Sequence, residues 1–297
     1  MSEALPFFSV VVPTYRRVEA LPACLDALAG QAYPRDRFEV LVVDDGSGAS
    51  LDAVVAAFRD RLEVTLLSQP HAGPARARNT GAAHARGEVL AFTDDDCAPD
   101  PEWLRRLAAR LRDRPGDMIG GQTVNALRQD RCATASQTLV NYLYEYYNVN
   151  AARPSFFTSN NMALPRRAFL AIGGFDTTLT SAAGEDRELC DRWQHLGYRL
   201  TYAPEARVSH HHKLTLRQFC RQHFQYGRAA CYFRRARRQR GAGRVAIEPL
   251  SFYLNLLRYP FMHDPPRRAV ALAALLFLSQ GANAVGFAWE QLAGRKP

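Results

Sequence analysis

The sequence predicts an α/β fold whose sheet is mostly parallel and carries helices on both faces. Two observations lead to this prediction. The first hundred residues alternate between short apolar, β-branched runs and segments with apolar residues at helical spacing, as in repeated βαβ units. The run Val40–Val43 is apolar at every position, which is typical of a strand buried on both faces. A chain of 297 residues is also long enough to bury a full core.

The elements follow in order along the chain. Apolar periodicity predicts strands at 8–12, 38–43, 64–67, 89–92, 118–124, 160–165 and 200–208. It predicts helices at 18–29, 51–62, 75–85, 102–111, 133–147 and 185–196. The first strand ends at Pro13, the second ends at an Asp-Asp-Gly-Ser turn, and Asp100-Pro101 is a start signal for the helix at 102–111.

A change in composition near Lys213 predicts a second region. Residues 213–244 contain ten Lys and Arg and no Asp or Glu, although the formal net charge of the whole chain is only +9. Two apolar helix candidates follow, at 251–262 and 269–289, and the second is about long enough to cross a bilayer. Ser279, Gln280 and Asn283 interrupt it, so spanning the membrane, lying in its interface and packing on the body all stay open. We predict a domain at 1–212 and a basic and apolar helical region at 213–297.

Two acidic clusters follow predicted strands. Asp44 and Asp45 end the second strand, and Asp94, Asp95 and Asp96 end the fourth. Ligands of an open parallel sheet bind at the carboxyl ends of its strands, where we expect both clusters to lie. Neighbouring carboxylates repel one another, and a bound divalent cation removes that cost. Mn²⁺ or Mg²⁺ with a substrate diphosphate fits such a cluster, and a solvated acidic turn is the alternative.

Three further groups carry ambiguous signals. Gly184-Glu185-Asp186 precedes a predicted helix, where acidic residues either cap the helix or hold an ionised general base. His210-His211-His212 closes a predicted strand and is a metal site, a pH-sensitive patch or a polar strand end. Arg78 lies near the predicted ligand edge, where it could meet phosphate oxygens.

Taken together and in order, these motifs resemble the family 2 inverting glycosyltransferases with a GT-A fold. The resemblance covers about residues 7–212 and depends on seven motifs in sequence. The matching motifs are Val10–Arg17 (VVVPTYRR), Val42–Ser47 (VVDDGS), Ala77–Gly81 (ARNTG), Thr93–Asp96 (TDDD), Gly173–Asp176 (GGFD), Gly184–Asp186 (GED) and Val208–His210 (VSH).

The resemblance implies a role for each matching residue. It implies that Asp45 contacts the base and that Pro13, Thr14 and Arg17 line the nucleotide pocket. It implies that Asp94 and Asp96 are the two ends of a DxD motif, with Asp96 as a metal ligand and Asp94 or Asp95 near the ribose or the water shell of the metal. Further implied roles are His210 as a third metal ligand, Arg78 as a donor contact and Asp186 as the catalytic base.

The implied reaction is inverting transfer of a hexosyl group from a nucleotide sugar, with a UDP-sugar favoured, to an acceptor hydroxyl. We expect a glycan or lipid-linked acceptor and a role in polysaccharide or glycolipid synthesis. A nucleotidyltransferase is the alternative enzyme, although that class leaves Gly184–Asp186 without a role and expects a glycine-rich, lysine-bearing loop near the N-terminus. An inactive GT-A scaffold is the third interpretation.

The basic region has two competing interpretations. Clustered arginines with aromatic residues suit either an anionic membrane surface or a nucleic acid. We favour the membrane and expect no nucleic-acid partner, because nucleic-acid binding leaves the apolar C-terminal segments unexplained. The N-terminus has no secretory leader pattern and the six cysteines form no CxxC pair, so we expect a cytoplasmic location at the membrane face.

Overall fold

A computed structural model describes residues 5–149, 154–178, 183–243 and 245–293. It contains one eight-stranded sheet with the strand order β3-β2-β1-β4-β7-β6-β8-β5. The strands are β1 Phe8–Thr14, β2 Phe38–Asp44, β3 Val64–Ser68, β4 Val89–Phe92, β5 Cys97–Pro99, β6 Met118–Asn125, β7 Met162–Pro165 and β8 Leu200–His210.

The sheet is parallel in its first half and mixed in its second. Strands β3, β2, β1 and β4 pair in parallel, as the βαβ pattern predicts. Strand β7 runs antiparallel to both β4 and β6, whereas β6 and β8 are parallel. The short edge strand β5, which the sequence analysis missed, runs antiparallel to β8. The predicted α/β class with a mostly parallel sheet is confirmed.

Both faces of the sheet are covered by helices. The helices are α1 Leu21–Ala29, α2 Asp52–Ala56, α3 Pro74–His84, α4 Trp103–Asp113, α5 Arg131–Tyr144, α6 Arg166–Ala171, α7 Glu185–His195, α8 Leu216–Gln239, α9 Leu250–His263 and α10 Pro266–Ala293. Alternate residues of β1 enter different cores: Val10 and Val12 pack with α1, α2 and α4, and Val11 packs with α3, α6 and α7. This explains the unbroken apolar runs 10–12 and 40–43 within the central strands.

Some predicted boundaries were wrong. The helix predicted at 51–62 ends at Ala56, and turns continue its apolar periodicity, so that Phe58 and Leu62 are still buried. The strand predicted at 160–165 begins at Met162, because 159–161 form a short 3₁₀ turn. The helix predicted at 133–147 ends at Tyr144 and passes into a π-helical turn at Glu145–Val149.

The C-terminal region forms three helices that pack on the body. Helix α10 runs along α8 and also contacts α9 and α5. The α8–α10 contact is close, since a Cβ at Gly227 would overlap the backbone of Asn283 and a Cβ at Gly286 would overlap the carbonyl of Phe224. Arg244, the last cation of the predicted basic stretch, lies outside the described residues. The division at residue 212 stays a prediction.

Candidate active site

The acidic clusters lie at one edge of the sheet, where β1, β2 and β4 end side by side. The backbone N–H of Asp45, which follows β2, donates to the carbonyl of Thr14 at 2.9 Å. The hydroxyl of Thr14 donates to Asp95 Oδ2 at 2.7 Å. A chain of hydrogen bonds therefore connects the ends of all three strands, as expected for the ligand edge of a parallel sheet.

Asp45 holds a loop against this edge. Its carboxylate is buried and accepts hydrogen bonds from Gln69 Nε2 at 2.7 Å and from the backbone N–H groups of Ala72 and Gly73 at 2.9 and 2.8 Å. His71 Nδ1 lies 2.8 Å from Asp45 Oδ2, and its ring stacks on Tyr15 at a centroid distance of 4.0 Å. The loop donors and the Tyr15–His71 stack thus form the wall beside Asp45.

Pro13 and Arg17 border the same region. Pro13 is buried in β1 opposite Val43 of β2. Arg17 lies in the loop after β1, where its guanidinium donates to Asp95 at 3.3 Å and also pairs with Asp96. Burial raises the pKa of Asp95 to about 6, although Arg17 and the Thr14 hydroxyl favour its ionised form. Asp95 is therefore bonded to the protein through both of its oxygens.

Asp96 faces two histidines because β5 pairs with β8. The pairing sets Cys97 opposite His210, so the residue before Cys97 reaches the end of β8. Asp96 Oδ1 lies 3.2 Å from His210 Nε2, and Asp96 Oδ2 lies 3.2 Å from His212 Nδ1. Burial opposes ionisation of Asp96, but the hydrogen bonds from both histidines outweigh it and hold the pKa of this carboxyl well below its usual range.

These three side chains fit a divalent metal ion. One ligand atom from each of Asp96, His210 and His212 lies within 4.8 Å of the others. A carboxylate oxygen and two imidazole nitrogens form a mixed N/O set, which suits a transition metal such as Mn²⁺ better than Mg²⁺, since Mg²⁺ prefers oxygen ligands. Asp94, which the resemblance also places at the metal, is not in this triad.

The sequence analysis offered His210-His211-His212 as a possible metal site but assigned only His210 as a ligand, and the structure adds His212. Side chains along a strand alternate between faces, so residues two apart at an extended strand end point to the same side. His210 and His212 have this spacing and their rings stack at a centroid distance of 5.1 Å. The intervening His211 is exposed, and only its backbone N–H contacts Asp96. This alternation was available from the sequence.

Arg78 connects the acidic loop after β4 to the start of α7. It lies in α3 with only 3% of its surface exposed, and it donates to Asp94 Oδ1 at 2.7 Å and to Glu185 Oε1 at 3.0 Å. Arg78 Nε and Glu185 Oε2 are buried without a hydrogen-bond partner among the described residues. The pairing of Arg78 with Glu185 is a second contact that the sequence analysis missed.

Asp186 follows Glu185 in the first turn of α7 and is half-buried. Burial and the charge of Glu185 raise its pKa to about 7, against the opposing effects of the Arg187 N–H and the Arg78 charge. The Arg187 N–H donates to Asp186 Oδ1 at 2.7 Å, which fixes the direction of the carboxylate. Asp186 is thus a carboxylate that takes up a proton near neutral pH.

Helix α8 closes the same cluster from the C-terminal region. Burial, together with the charges of Asp186, Glu185 and Asp94, raises the pKa of Tyr226 to about 12. Gln222 Nε2 donates to the Tyr226 hydroxyl at 2.5 Å, and Gln222 Oε1 is buried without a partner among the described residues. The sequence analysis had considered only an anionic membrane surface, which it favoured, or a nucleic acid as the partner of this stretch.

Two asparagine motifs have structural roles. Asn79 exchanges hydrogen bonds of 2.8 Å with the backbone N–H and carbonyl of Phe175, and so fixes the Gly173-Gly174 turn. Asn161 is fully buried and bonds to Trp103 Nε1 and to the carbonyls of Gln122 and Ala206. Turn formation and core packing therefore account for both motifs.

Comparison with known proteins gives the family. The pattern described as glycosyl transferase family 2 matches residues 9–173, and one described as the N-terminal domain of galactosyltransferase matches residues 141–214. The chain is 30% identical over 209 residues to glycosyltransferase AglE of Haloferax volcanii, covering 69% of this chain and 67% of that protein. The chain belongs to glycosyltransferase family 2. It spans about half the length of other curated relatives that it matches.

Solved structures confirm the GT-A fold class. The mannosyltransferase PcManGT from Pyrobaculum calidifontis, solved with GDP-Man and Mn²⁺, aligns over 99% of this chain and 82% of its own with a TM-score of 0.62 at 23% identity. S. aureus TarS 1-349, solved with UDP-GlcNAc, aligns over 98% of this chain and 92% of its own with a TM-score of 0.55 at 19% identity. The predicted glycosyltransferase and GT-A architecture are confirmed.

Proposed function

We propose that this glycosyltransferase moves a hexosyl group from a nucleotide sugar to an acceptor hydroxyl in one displacement that inverts the anomeric carbon. The observation that carries the proposal is the bridge from Asp94 through Arg78 to Glu185. This bridge joins the acidic loop after β4 to the first turn of α7, which carries Asp186. A diphosphate held at the loop would therefore have its sugar directed toward Asp186.

Asp186 is the proposed general base. Its raised pKa of about 7 lets the carboxylate accept the proton of an acceptor hydroxyl at neutral pH and later release it to water. As the proton moves to Asp186, the acceptor oxygen forms a bond to the anomeric carbon and the bond from that carbon to the phosphate oxygen breaks. A general base of this kind contributes about 10² to 10⁴ in rate.

Asp96, His210 and His212 are the proposed ligands of a divalent ion, with Mn²⁺ favoured over Mg²⁺. When bound, such an ion neutralises the charge that grows on the departing nucleoside diphosphate. Asp94 remains a candidate for a further contact to the metal or its water shell. Arg17 already neutralises part of the negative charge of Asp95 and Asp96, so the loop is partly preorganised for an anionic ligand.

Asp45, Pro13, Thr14, Arg17, Asp95 and Arg78 are the proposed donor-binding residues. Asp45 and the Tyr15–His71 stack form a wall of hydrogen-bonding and aromatic groups that suits a nucleobase. We favour a UDP-sugar, and structural neighbours bind either GDP-Man or UDP-GlcNAc. The proposed acceptor is a glycan or a lipid-linked glycan at the cytoplasmic face of the membrane, with a role in polysaccharide or glycolipid synthesis.

The experiment that tests the function is a donor screen. UDP- and GDP-sugars are titrated into the protein by calorimetry with and without Mn²⁺, and nucleoside diphosphate release is then measured for each donor that binds. We expect one donor class to bind in a Mn²⁺-dependent manner and to be consumed when a suitable hydroxyl acceptor is added. The product should have the anomeric configuration opposite to that of the donor. Retention of configuration, or no donor binding by folded protein, would contradict the proposal.

A further inference from the structure

The outer face of α10 is a continuous apolar stripe. No charged residue lies between Arg268 and Glu290, and every large side chain exposed along that length is apolar. The exposed fractions are 59% for Val270, 70% for Phe277 and 61% for Trp289. At 1.5 Å per residue, the stripe from Val270 to Leu292 is about 33 Å long. We call this surface the α10 stripe, and its large members are Val270, Phe277, Leu278, Val285, Trp289 and Leu292.

The polar residues of α10 face the protein, not the stripe. Ser279 is fully buried and donates to the carbonyl of Leu276 at 2.7 Å, and Gln280 and Asn283 are half-buried. The close contacts at Gly227 and Gly286 fix α10 against α8 along its second half. By length and composition α10 qualifies as a membrane span. In the structure, however, one side of α10 packs on the protein and the opposite, apolar side is exposed, which is the pattern of an interfacial helix.

Much of the basic stretch is neutralised by the protein itself. Arg228 donates to Glu290 Oε2 at 2.8 Å, and Arg237 and Arg240 pair with carboxylates of α7. Arg234 lies over the ring of Phe287, 4.9 Å from its centroid. Arg228 and Arg234 thus join α8 to α10, and Arg237 and Arg240 join α8 to α7, so the basic stretch as a whole is not a free electrostatic surface. Exposed cations remain beside the apolar helices, among them Arg258 and Arg267.

We infer that the α10 stripe lies in the plane of an anionic bilayer, in its headgroup and outer acyl region. Helix α9, which packs on α10, adds further exposed apolar side chains, with Leu250 at 73% and Met262 at 76%. An apolar face with an aromatic residue and flanking arginines is the composition that binds this region. A bilayer with anionic lipids complements the formal charge of +9, whereas a second copy of the chain carries the same charge and is repelled.

This placement also bears on the acceptor, and that part of the inference rests on the proposed transferase function. One side of α8 contacts the catalytic turn, since a Cβ at Gly184 would lie 2.8 Å from Ala229 Cβ. The other side contacts α10 at Gly227. Only one helix therefore separates Asp186 from the stripe helix. Packed helix axes lie about 8–10 Å apart, so the two successive packings place the axes of α7 and α10 up to about 16–20 Å apart. The reacting hydroxyl must therefore lie beyond the headgroup, on a lipid-linked glycan, and the stripe favours acceptors of this kind.

The test uses Trp289 as a reporter of membrane contact. Trp103 and Trp193 are fully buried, so a change in tryptophan emission on adding vesicles comes from Trp289. We expect phosphatidylglycerol-containing vesicles to cosediment the protein and to shift this emission to shorter wavelength. Lipids brominated near the headgroup should quench Trp289 more than lipids brominated near the chain ends. Stronger quenching by the deep label would place Trp289 near the bilayer centre, outside the headgroup and outer acyl region, and would overturn the inference.

The variants separate the stripe from the rest of the surface. Phe277→Glu with Val285→Glu keeps Trp289 and should weaken vesicle partition by at least about tenfold, because two apolar side chains leave the bilayer. The matched control is Leu170→Glu with Leu196→Glu, at leucines of the body that are 42% and 53% exposed; it adds the same two charges and should bind vesicles like the unaltered protein. Circular dichroism and donor calorimetry without vesicles check that each variant is folded.

Several outcomes overturn the inference. They are a folded protein that does not bind anionic vesicles, a stripe variant that binds as well as the unaltered protein, and a dimer that the stripe variant converts to a monomer. Donor calorimetry keeps this result separate from the proposed function. Donor binding without vesicle binding rejects the docking surface alone, whereas vesicle binding without donor binding rejects the transferase and leaves the surface standing.

Discussion

His212 Nδ1 lies 3.2 Å from Asp96 Oδ2, while the other oxygen of the same carboxylate faces His210 Nε2 at 3.2 Å. One carboxylate thus lies between two imidazoles that come from adjacent same-side positions of one chain segment. The antiparallel pairing of β5 with β8 produces this arrangement, since it fixes Cys97 opposite His210. The geometry brings His212 to the predicted metal ligands Asp96 and His210, whereas Asp94, which was also predicted at the metal, lies outside this triad.

Replacing His212 tests this triad. We expect His212→Ala to raise the Mn²⁺ concentration needed for half-maximal activity by at least about tenfold, because one of the three converging ligand atoms is removed. The measurement is a Mn²⁺ titration of nucleoside diphosphate release. His211→Ala is the matched control, since its exposed side chain lies outside the triad, and it should leave the titration unchanged. Equal effects of the two variants would rule out His212 as a ligand.

The pKa of about 7 for Asp186 predicts the pH dependence of the reaction. A general base is active when deprotonated, so a raised pKa keeps it inactive in acid and active above neutrality. We expect kcat/KM to fall about tenfold per pH unit well below pH 7 and to reach a plateau above it. Saturating Mn²⁺ and donor calorimetry at each pH separate this effect from weaker metal or donor binding in acid. A flat profile between pH 5 and 8 would contradict the assignment.

The Arg78 bridge predicts a coupled loss of stability and activity. Arg78→Lys keeps the charge, but an ammonium cannot donate to Asp94 and Glu185 in the same fork geometry. A buried carboxylate left without its partner costs about 1.5–3 kcal/mol, so the thermal midpoint should fall together with kcat. Arg76→Lys, on the exposed side of the same helix, is the control and should change neither quantity. Full activity and stability of the Arg78 variant would remove the bridge from the mechanism.

The contact between α8 and α10 makes a prediction about stability alone. Gly286→Ala introduces a Cβ that meets the backbone of Phe224, and overpacking of this kind costs about 1–3 kcal/mol. Gly281→Ala lies in the same helix with no atom within 4 Å of the added Cβ, so it should be neutral or stabilising by up to about 1 kcal/mol. Thermal unfolding of the two variants gives the comparison. Similar midpoints would show that α10 is not packed on α8 as described.

An element of the fold was predictable from the sequence when its own residues carried a local apolar pattern. The parallel strands β1, β2 and β4 each contain a continuous apolar run of at least three residues, and these short runs between turn signals predict them. Strand β5 has three residues and no periodicity, so its pairing with β8 depends on tertiary packing that the sequence does not display. The end of α2 was missed for a related reason, because Phe58 and Leu62 satisfy the helical spacing from turns.

The sequence predicted most residues of the candidate site, but it did not predict which of their side chains contact one another. Strand ends gave Asp45, Asp94 and Asp96, since a parallel sheet collects its carboxyl ends at one edge. The partner of Arg78 comes from α7, 107 residues away, and such a long-range contact leaves no local signal. The ion pairs of the basic stretch were not predictable for the same reason. Arginines that are adjacent in sequence divide among Glu188, Asp191 and Glu290 once the helices pack.

The most direct test of the central claim is the Asp186→Asn variant, assayed with the donor and acceptor found in the screen. The amide has nearly the same shape as the carboxylate but cannot take the acceptor proton. Donor affinity by calorimetry should therefore stay unchanged, while turnover falls by at least about 10². Turnover equal to that of the unaltered enzyme would show that Asp186 is not the base.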